Sequence, residues 1–184
     1  MPIAIIPTLR PNVTRDDALR QFSAEGAARL FWTLRSGSLQ RIADIYVPFW
    51  MYRARYEMNR TVEERVFALD AVNGSLDLFS FPHLPEPREL QSVATRNFLA
   101  PALSETQAAA IVREKLLRAV FLQGFFKLRG AHLEICREAG EIYMPYWLAF
   151  YGGRGAVRCR VLDAVRRRVE GAKASAFFEE WLAA

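Results

Sequence analysis

Apolar and polar positions change period several times along this chain, and each change marks an element. Thr14-Arg15-Asp16-Asp17 reads as a helix start, with a hydroxyl N-cap, acids in the first turn and an acceptor three residues on. Ala18, Phe22, Ala28, Phe31 and Trp32 recur at helical spacing and carry the helix to about Arg35, where Gly37 supplies a stop. From Leu39 to Glu57 the period becomes two. Tyr46, Trp50, Tyr52, Ala54 and Tyr56 fall on one face, and Ile45, Val47, Phe49 and Met51 on the other. A strand apolar on both faces is covered from two sides, and Arg53 and Arg55 mark where this one becomes half exposed. Pro48 has no ladder donor, which predicts a bulge, a strand start or an edge there. Val62 to Val72 reads as the next strand, Asn73-Gly74 as a two-residue hairpin turn and Ser75 to Phe81 as the return.

The second half restates this order. Ile45-Tyr46-Val47-Pro48-Phe49-Trp50 returns as Ile142-Tyr143-Met144-Pro145-Tyr146-Trp147, and Leu69-Asp70-Ala71-Val72 as Leu162-Asp163-Ala164-Val165. Ser104-Glu105-Thr106-Gln107 is a capping box that opens a second helix, ending near Gly124 or Gly130. Leu133 to Tyr151 is a second long strand, Gly152-Gly153-Arg154-Gly155 a turn, and Ala156 to Val165 a further strand. The copies then diverge. Arg166-Arg167 stands where Asn73-Gly74 stood and suits a turn with two positive φ angles poorly, so either the turn type changes or the end becomes helical. Lys173 to Ala184 reads as a short helix with Phe177, Phe178, Trp181 and Leu182 on one side, capping the sheet or meeting a partner. Pro82, Pro85, Pro87 and Pro101 bracket an irregular connection between the copies.

The expected architecture is therefore α+β: two tandem helix-plus-antiparallel-sheet repeats related by pseudo-two-fold symmetry, joined through their long strands. Residues 1–81 hold the first repeat with an extended N-terminal segment, 82–103 the linker, and 104–184 the second repeat with a short C-terminal helix.

The order of helix, strand, strand, then Asp-Ala-x-x-Gly and a further strand is similar to the PepSY-type repeat. Leu69-Asp70-Ala71-Val72-Asn73-Gly74 carries that signature in full, and Leu162-Asp163-Ala164-Val165 its first part. The resemblance spans about 65 residues of each half. It implies a cystatin-like α+β unit of the kind found in small inhibitory or regulatory modules, and it implies no catalytic residue.

Composition adds bounds. With 184 residues, 52% hydrophobic and 24% charged, the chain is globular and long enough for a substantial core. Its start lacks a basic leader and no apolar run approaches a membrane span, so the expected location is cytoplasmic, with Cys136 and Cys159 as reduced, buried hydrophobes. The net charge of +5 is uneven: residues 1–92 hold eleven basic and eleven acidic side chains, and residues 93–184 fourteen and nine.

Chemistry is sparse. His83 lies in the linker and His132 at a helix-to-strand turn, without partners at metal spacing. The Gly152 to Gly155 run joins two strands, whereas a phosphate cradle needs a following helix. Asp70 and Asp163 read as residues that bond the backbone of their own turns before they read as paired acids. No catalytic residue, metal ligand or cofactor is therefore assigned, and an enzyme is the third reading. The first is a non-catalytic binding or regulatory module for a protein or peptide partner, a second copy included. It would act through a sheet face or an aromatic seam between the copies formed by Tyr46, Trp50, Tyr143 and Trp147. The alternative is a basic surface of Arg158, Arg160, Arg166, Arg167 and Arg168 that holds nucleic acid or anionic lipid, although a solvated strand face explains the same residues.

Overall fold

Two long strands, β2 (Ser38–Met58) and β6 (Leu133–Gly152), run antiparallel as the spine of the molecule. Their register lays one tyrosine-proline segment along the other: Tyr46 faces Pro145, Val47 faces Met144 and Pro48 faces Tyr143. The computed structural model describes residues 2–23, 37–58, 61–122, 133–152 and 158–183. Among these the architecture is α+β, a curled mixed sheet with three helices.

On one side of the spine β2 pairs with β3 (Thr61–Asp70), which pairs with β4 (Phe79–Phe81). On the other, β6 pairs with β7 (Arg158–Asp163), which pairs with β8 (Arg168–Val169). Each half thus carries the expected antiparallel meander. A ribbon of β1 (Ala4–Leu9) and β5 (Leu90–Thr95) joins the spine through a parallel bridge from Thr8 to Tyr143. A matching parallel bridge joins Phe98 to Tyr46.

The prolines sit where outer neighbours change. Tyr46 exchanges hydrogen bonds with Asn97 and Leu99, whereas β3 takes over from Phe49; Tyr143 meets Thr8, whereas β7 takes over from Tyr146. A residue without an N–H is cheap at such a changeover. The carbonyls of Pro48 and Pro145 still accept, from the amides of Ala71 (2.8 Å) and Ala164 (3.1 Å).

Both faces of the spine are buried, as the double apolar stripe predicts. Ile45, Val47, Phe49 and Met51 join Met144, Tyr146 and Leu148 in the main core. It is closed by α3 (Ala172–Ala183), whose Ala174, Phe177 and Phe178 recur at helical spacing on its inner side. The opposite face is shared. Trp50, Tyr52 and Ala54 pack under Ala108, Val112 and Leu116, a stripe four residues apart on α2 (Glu105–Leu122). Ala149 and Tyr151 pack under Ala18 and Phe22 of α1 (Arg15–Phe22). Ile6 of the ribbon covers Tyr46 and Tyr143 between them. Fully burying one such large side chain is worth about 1.5–3 kcal/mol, so two covered faces account for the length of β2 and β6.

Local signals hold at both helix starts. Thr14 and Asp17 form a reciprocal capping box, and Ser104 and Gln107 form another. The helix body through Ala28, Phe31 and Trp32, the helix end at Gly124 or Gly130, His132, and Gly153-Arg154-Gly155 lie outside the described residues.

Three expectations are corrected. The Asn73-Gly74 pair does not close a two-residue hairpin: residues 71–78 connect β3 to a β4 of three residues. The cause is Asp70, whose carboxylate accepts from the amides of Asn73 (3.1 Å), Gly74 (2.9 Å) and Leu76 (2.8 Å) and winds the chain into a wider loop. Only Gly74 there has a positive φ, +68°. The linker 82–103 is not irregular throughout, because Leu90–Thr95 forms β5 against the extended N-terminal segment. At Arg166-Arg167 the turn type changes: residues 164–167 form a turn with the left-handed angle at Arg167, φ 57°.

Candidate functional site

The four aromatic candidates lie together on one face of the spine, and that face is closed. Tyr46 is 8% exposed and Tyr143 5%, both under Ile6, with Phe98 edge-on to Tyr143 at 6.1 Å between ring centres. Burial, followed by the negative charge of Asp44 for one and Glu141 for the other, pushes both hydroxyls up to about 12. Trp50 packs beneath α2, with the Arg137 guanidinium 4.2 Å above its ring and Arg137 paired in turn with Glu105. Trp147 is half-buried and its indole N–H donates to the Val13 carbonyl at 3.1 Å. Trp50 and Trp147 thus belong to the packed interior and do not line an open groove.

The five arginines are not gathered on one surface. The Arg160 guanidinium lies near the rings of Phe22 and Tyr151, in the cluster beneath α1, whereas that of Arg166 lies 4.1 Å over Phe79, in the main core on the opposite face. Arg166 donates to Asp163 at 2.7 Å, Arg168 to Glu170 at 3.1 Å, and Arg167 to the Asn12 carbonyl at 2.9 Å. Arg158 is exposed.

Asp70 and Asp163 are almost wholly buried and hold their own turns. Asp163 accepts from the amides of Val165 (2.8 Å) and Arg166 (2.7 Å) besides the Arg166 side chain. With those bonds made, neither carboxylate faces an opening where it could serve as an acid or base. His83 is exposed, its Nδ1 2.9 Å from the Leu84 carbonyl. Cys159 is buried and its thiol is pushed up to about 12, first by burial and then by Glu179; Cys136 is exposed, against the expectation that both would be buried. Its exposure follows from strand alternation: Cys136 lies opposite Arg53 on the face turned away from α2, whereas its neighbour Ile135 packs under that helix. Among the described residues no three metal-donor side chains come together, and no helix is long and apolar enough to cross a membrane.

Two features sequence reasoning missed remain open to solvent. One is the ribbon. Ile3 and Ile5 are 60% and 77% exposed, and Ile5 sits opposite Ala94, which is exposed as well. The outer strand β5, Leu-Gln-Ser-Val-Ala-Thr, ends the sheet and carries neither charge nor proline. Edge strands are ordinarily guarded by shortness, charge, proline or a cover. Here β4 and β8 are short, with three and two residues, whereas β5 has six residues with neither charge nor proline and, among the described residues, no strand on its outer side. The other feature is a cavity of about 140 Å³ at the start of α3, walled by Leu76, Tyr146, Arg166 and Gly171 among others. An alternation of apolar residues from Ile3 to Leu9 was the one available signal for the ribbon; nothing local marks the cavity, since its walls come from four separate segments.

Compared with protein-family models, curated proteins and solved structures, the chain matches none.

Proposed function

We propose that the protein is a non-catalytic binding module whose ligand is an extended segment of a protein or peptide partner, added as a further strand to the free edge of β5. One observation carries the reading: a six-residue edge strand without charge or proline, beside exposed Ile3 and Ile5. Backbone hydrogen bonds to the edge would supply affinity, and apolar side chains at alternate positions of the partner would cover the isoleucines. In the same reading the scaffold is a duplicated PepSY-like α+β unit with pseudo-two-fold symmetry. The register about Val47 and Met144, the paired bridges at Tyr46 and Tyr143 and the two capping boxes support it.

Selection from a displayed library of random peptides tests the proposal. Enriched sequences should alternate apolar residues, protect the amides of residues 91–95 from hydrogen exchange and bind the Ile5→Lys protein at least about tenfold more weakly. A concentration-dependent dimer with the same protection would identify the partner as a second copy. Absence of enrichment, or binding indifferent to Ile5→Lys with β5 unprotected, would sink the idea.

A further inference from the structure

The hydrogen-bond phase of β5 fixes which of its backbone groups face outward. The Arg10 amide donates to the Glu89 carbonyl at 2.9 Å, so in the β1–β5 register Thr8 and Gln91, Ile6 and Val93, and Ala4 and Thr95 are the hydrogen-bonded pairs. Pro7, opposite Ser92, agrees with this phase, because a residue without an N–H fits a pair that exchanges no bonds. The amides and carbonyls of Ser92 and Ala94 therefore point away from β1, to a side where no strand lies among the described residues. The Leu90 carbonyl shares that direction, while the Leu90 amide donates to the Pro87 carbonyl.

The side chains on this edge suit its own copy. Residues 90–95 carry no charge, so two such strands set side by side bring no like charges together. The outer side of β3 is likewise unpaired from Thr61 to Arg65 among the described residues, but a two-fold centred on that stretch opposes Glu63 to its own counterpart. An antiparallel pair related by a two-fold puts one residue on the axis, opposite itself. With Val93 on the axis, Ser92 of each copy meets Ala94 of the other, and the outward amides and carbonyls of both residues find partners. Gln91 then meets Thr95, and the Leu90 carbonyl meets the Arg96 amide. With Ser92 on the axis instead, the Leu90 amide is already taken and Arg88 approaches Arg96. Val93 is half-buried over Ile6, Tyr46 and Tyr143, and its place outside the bonded pairs brings two β-branched residues to about 4.5 Å at Cα. Ser92 and Ala94, on the other face, are small and let the backbones approach.

Resting on the reading of β5 as an edge that takes a strand, we propose that the strand is β5 of a second copy, in a two-fold dimer with Val93 on the axis. One sheet then runs through both molecules. The pairing closes at two, because β1 occupies the inner side of each β5. An interface confined to one edge lies below the roughly 1,200 Å² of stable complexes, so the dimer dissociates on dilution.

Sedimentation velocity and hydrogen exchange on the full chain, from micromolar to near-millimolar concentration, test the assignment. The average mass should rise with concentration, and the amides of Ser92 and Ala94 should slow with it more than those of Gln91 and Val93, which β1 already holds. Ser92→Pro removes an outward N–H and none that β1 uses, so it should weaken association by about tenfold or more while the monomer stays folded by circular dichroism. Cys136 is exposed, so the linking test is made with Cys136→Ser: Val93→Cys should then give a disulfide-joined dimer on mild oxidation, and Gln91→Cys should not. A chain that stays monomeric at the highest concentration, yet binds a selected peptide with β5 protected, overturns the dimer and leaves strand addition standing. A monomer that binds no peptide at β5 overturns both. A dimer that Ser92→Pro leaves intact, with Ser92 and Ala94 exchange unchanged, uses another surface and overturns the proposal, and linking through Gln91→Cys in place of Val93→Cys overturns its register.

Discussion

Asp70 shows how a single side chain decides the path of the chain around it. It is wholly buried, and its two oxygens accept three backbone amides across residues 73–76. Removing an ionised acceptor leaves those amides buried and unpaired, each at about 1–3 kcal/mol. Asp70→Ala should therefore lower unfolding stability by about 3 kcal/mol or more in urea titration. Asp70→Asn should cost less, because Oδ1 keeps the bonds to Asn73 and Gly74 and only the Leu76 amide loses its acceptor. Equal losses in the two variants would show that the loop does not depend on this carboxylate. The role of Asp70 could be read in advance, since Asp before a turn with Asn and Gly has local bonding partners within reach. The placement of Arg166 could not. Its partners Asp163 and Glu170 are near in sequence, but Phe79, beneath its guanidinium, belongs to the other half of the chain.

Among elements, those set by local chemistry match their sequence signals and those set by distant partners do not. The capping boxes of α1 and α2 involve four consecutive residues each and are found where expected. The two-sided stripe of β2 likewise reports directly on burial. By contrast β5 has weak intrinsic preference and exists because β1 pairs with it from Ala4 to Leu9, a tertiary effect no window around residue 92 contains. The loop after β3 fails as a hairpin for a related reason: Gly74 is placed by α2 as well as by its turn. A side chain at Gly74 would meet Ile111 Cδ1 at 2.8 Å, and φ is +68°. Gly74→Ala should thus destabilise by about 1–2 kcal/mol from strain and contact together. Adding Ile111→Val should recover part of that loss, and chemical denaturation of the single and double variants would measure both. A neutral Gly74→Ala would mean that the loop repacks freely.

For the molecule as a whole, burial of weak acids sets a limit on the alkaline side. The hydroxyls of Tyr46 and Tyr143 are raised from 10.0 to about 12, and the Cys159 thiol from 9.0 to about 12, burial being the leading cause in each. The folded state therefore holds protons that the unfolded chain releases earlier. Their contribution is complete below pH 9 and is lost as pH rises from 9 to 12, the range between those ordinary and raised values. Through these three groups unfolding free energy should fall across that range, with tyrosinate absorbance rising as the protein unfolds. Tyrosinate appearing near pH 10 in the folded protein would contradict it. Thiol labelling gives a companion result, fast at Cys136 and negligible at Cys159 until denaturant is added. The spine also imposes an order on synthesis. The Thr8 hydroxyl donates to the Tyr143 carbonyl, 135 residues further along the chain. At ordinary elongation rates β1 leaves the ribosome roughly ten to thirty seconds before its place beside β6 exists. During that interval Ile6 and Leu9, buried in the folded protein, travel on a strand that β6 does not yet hold, so this segment stays open to chaperones until the second long strand has been made.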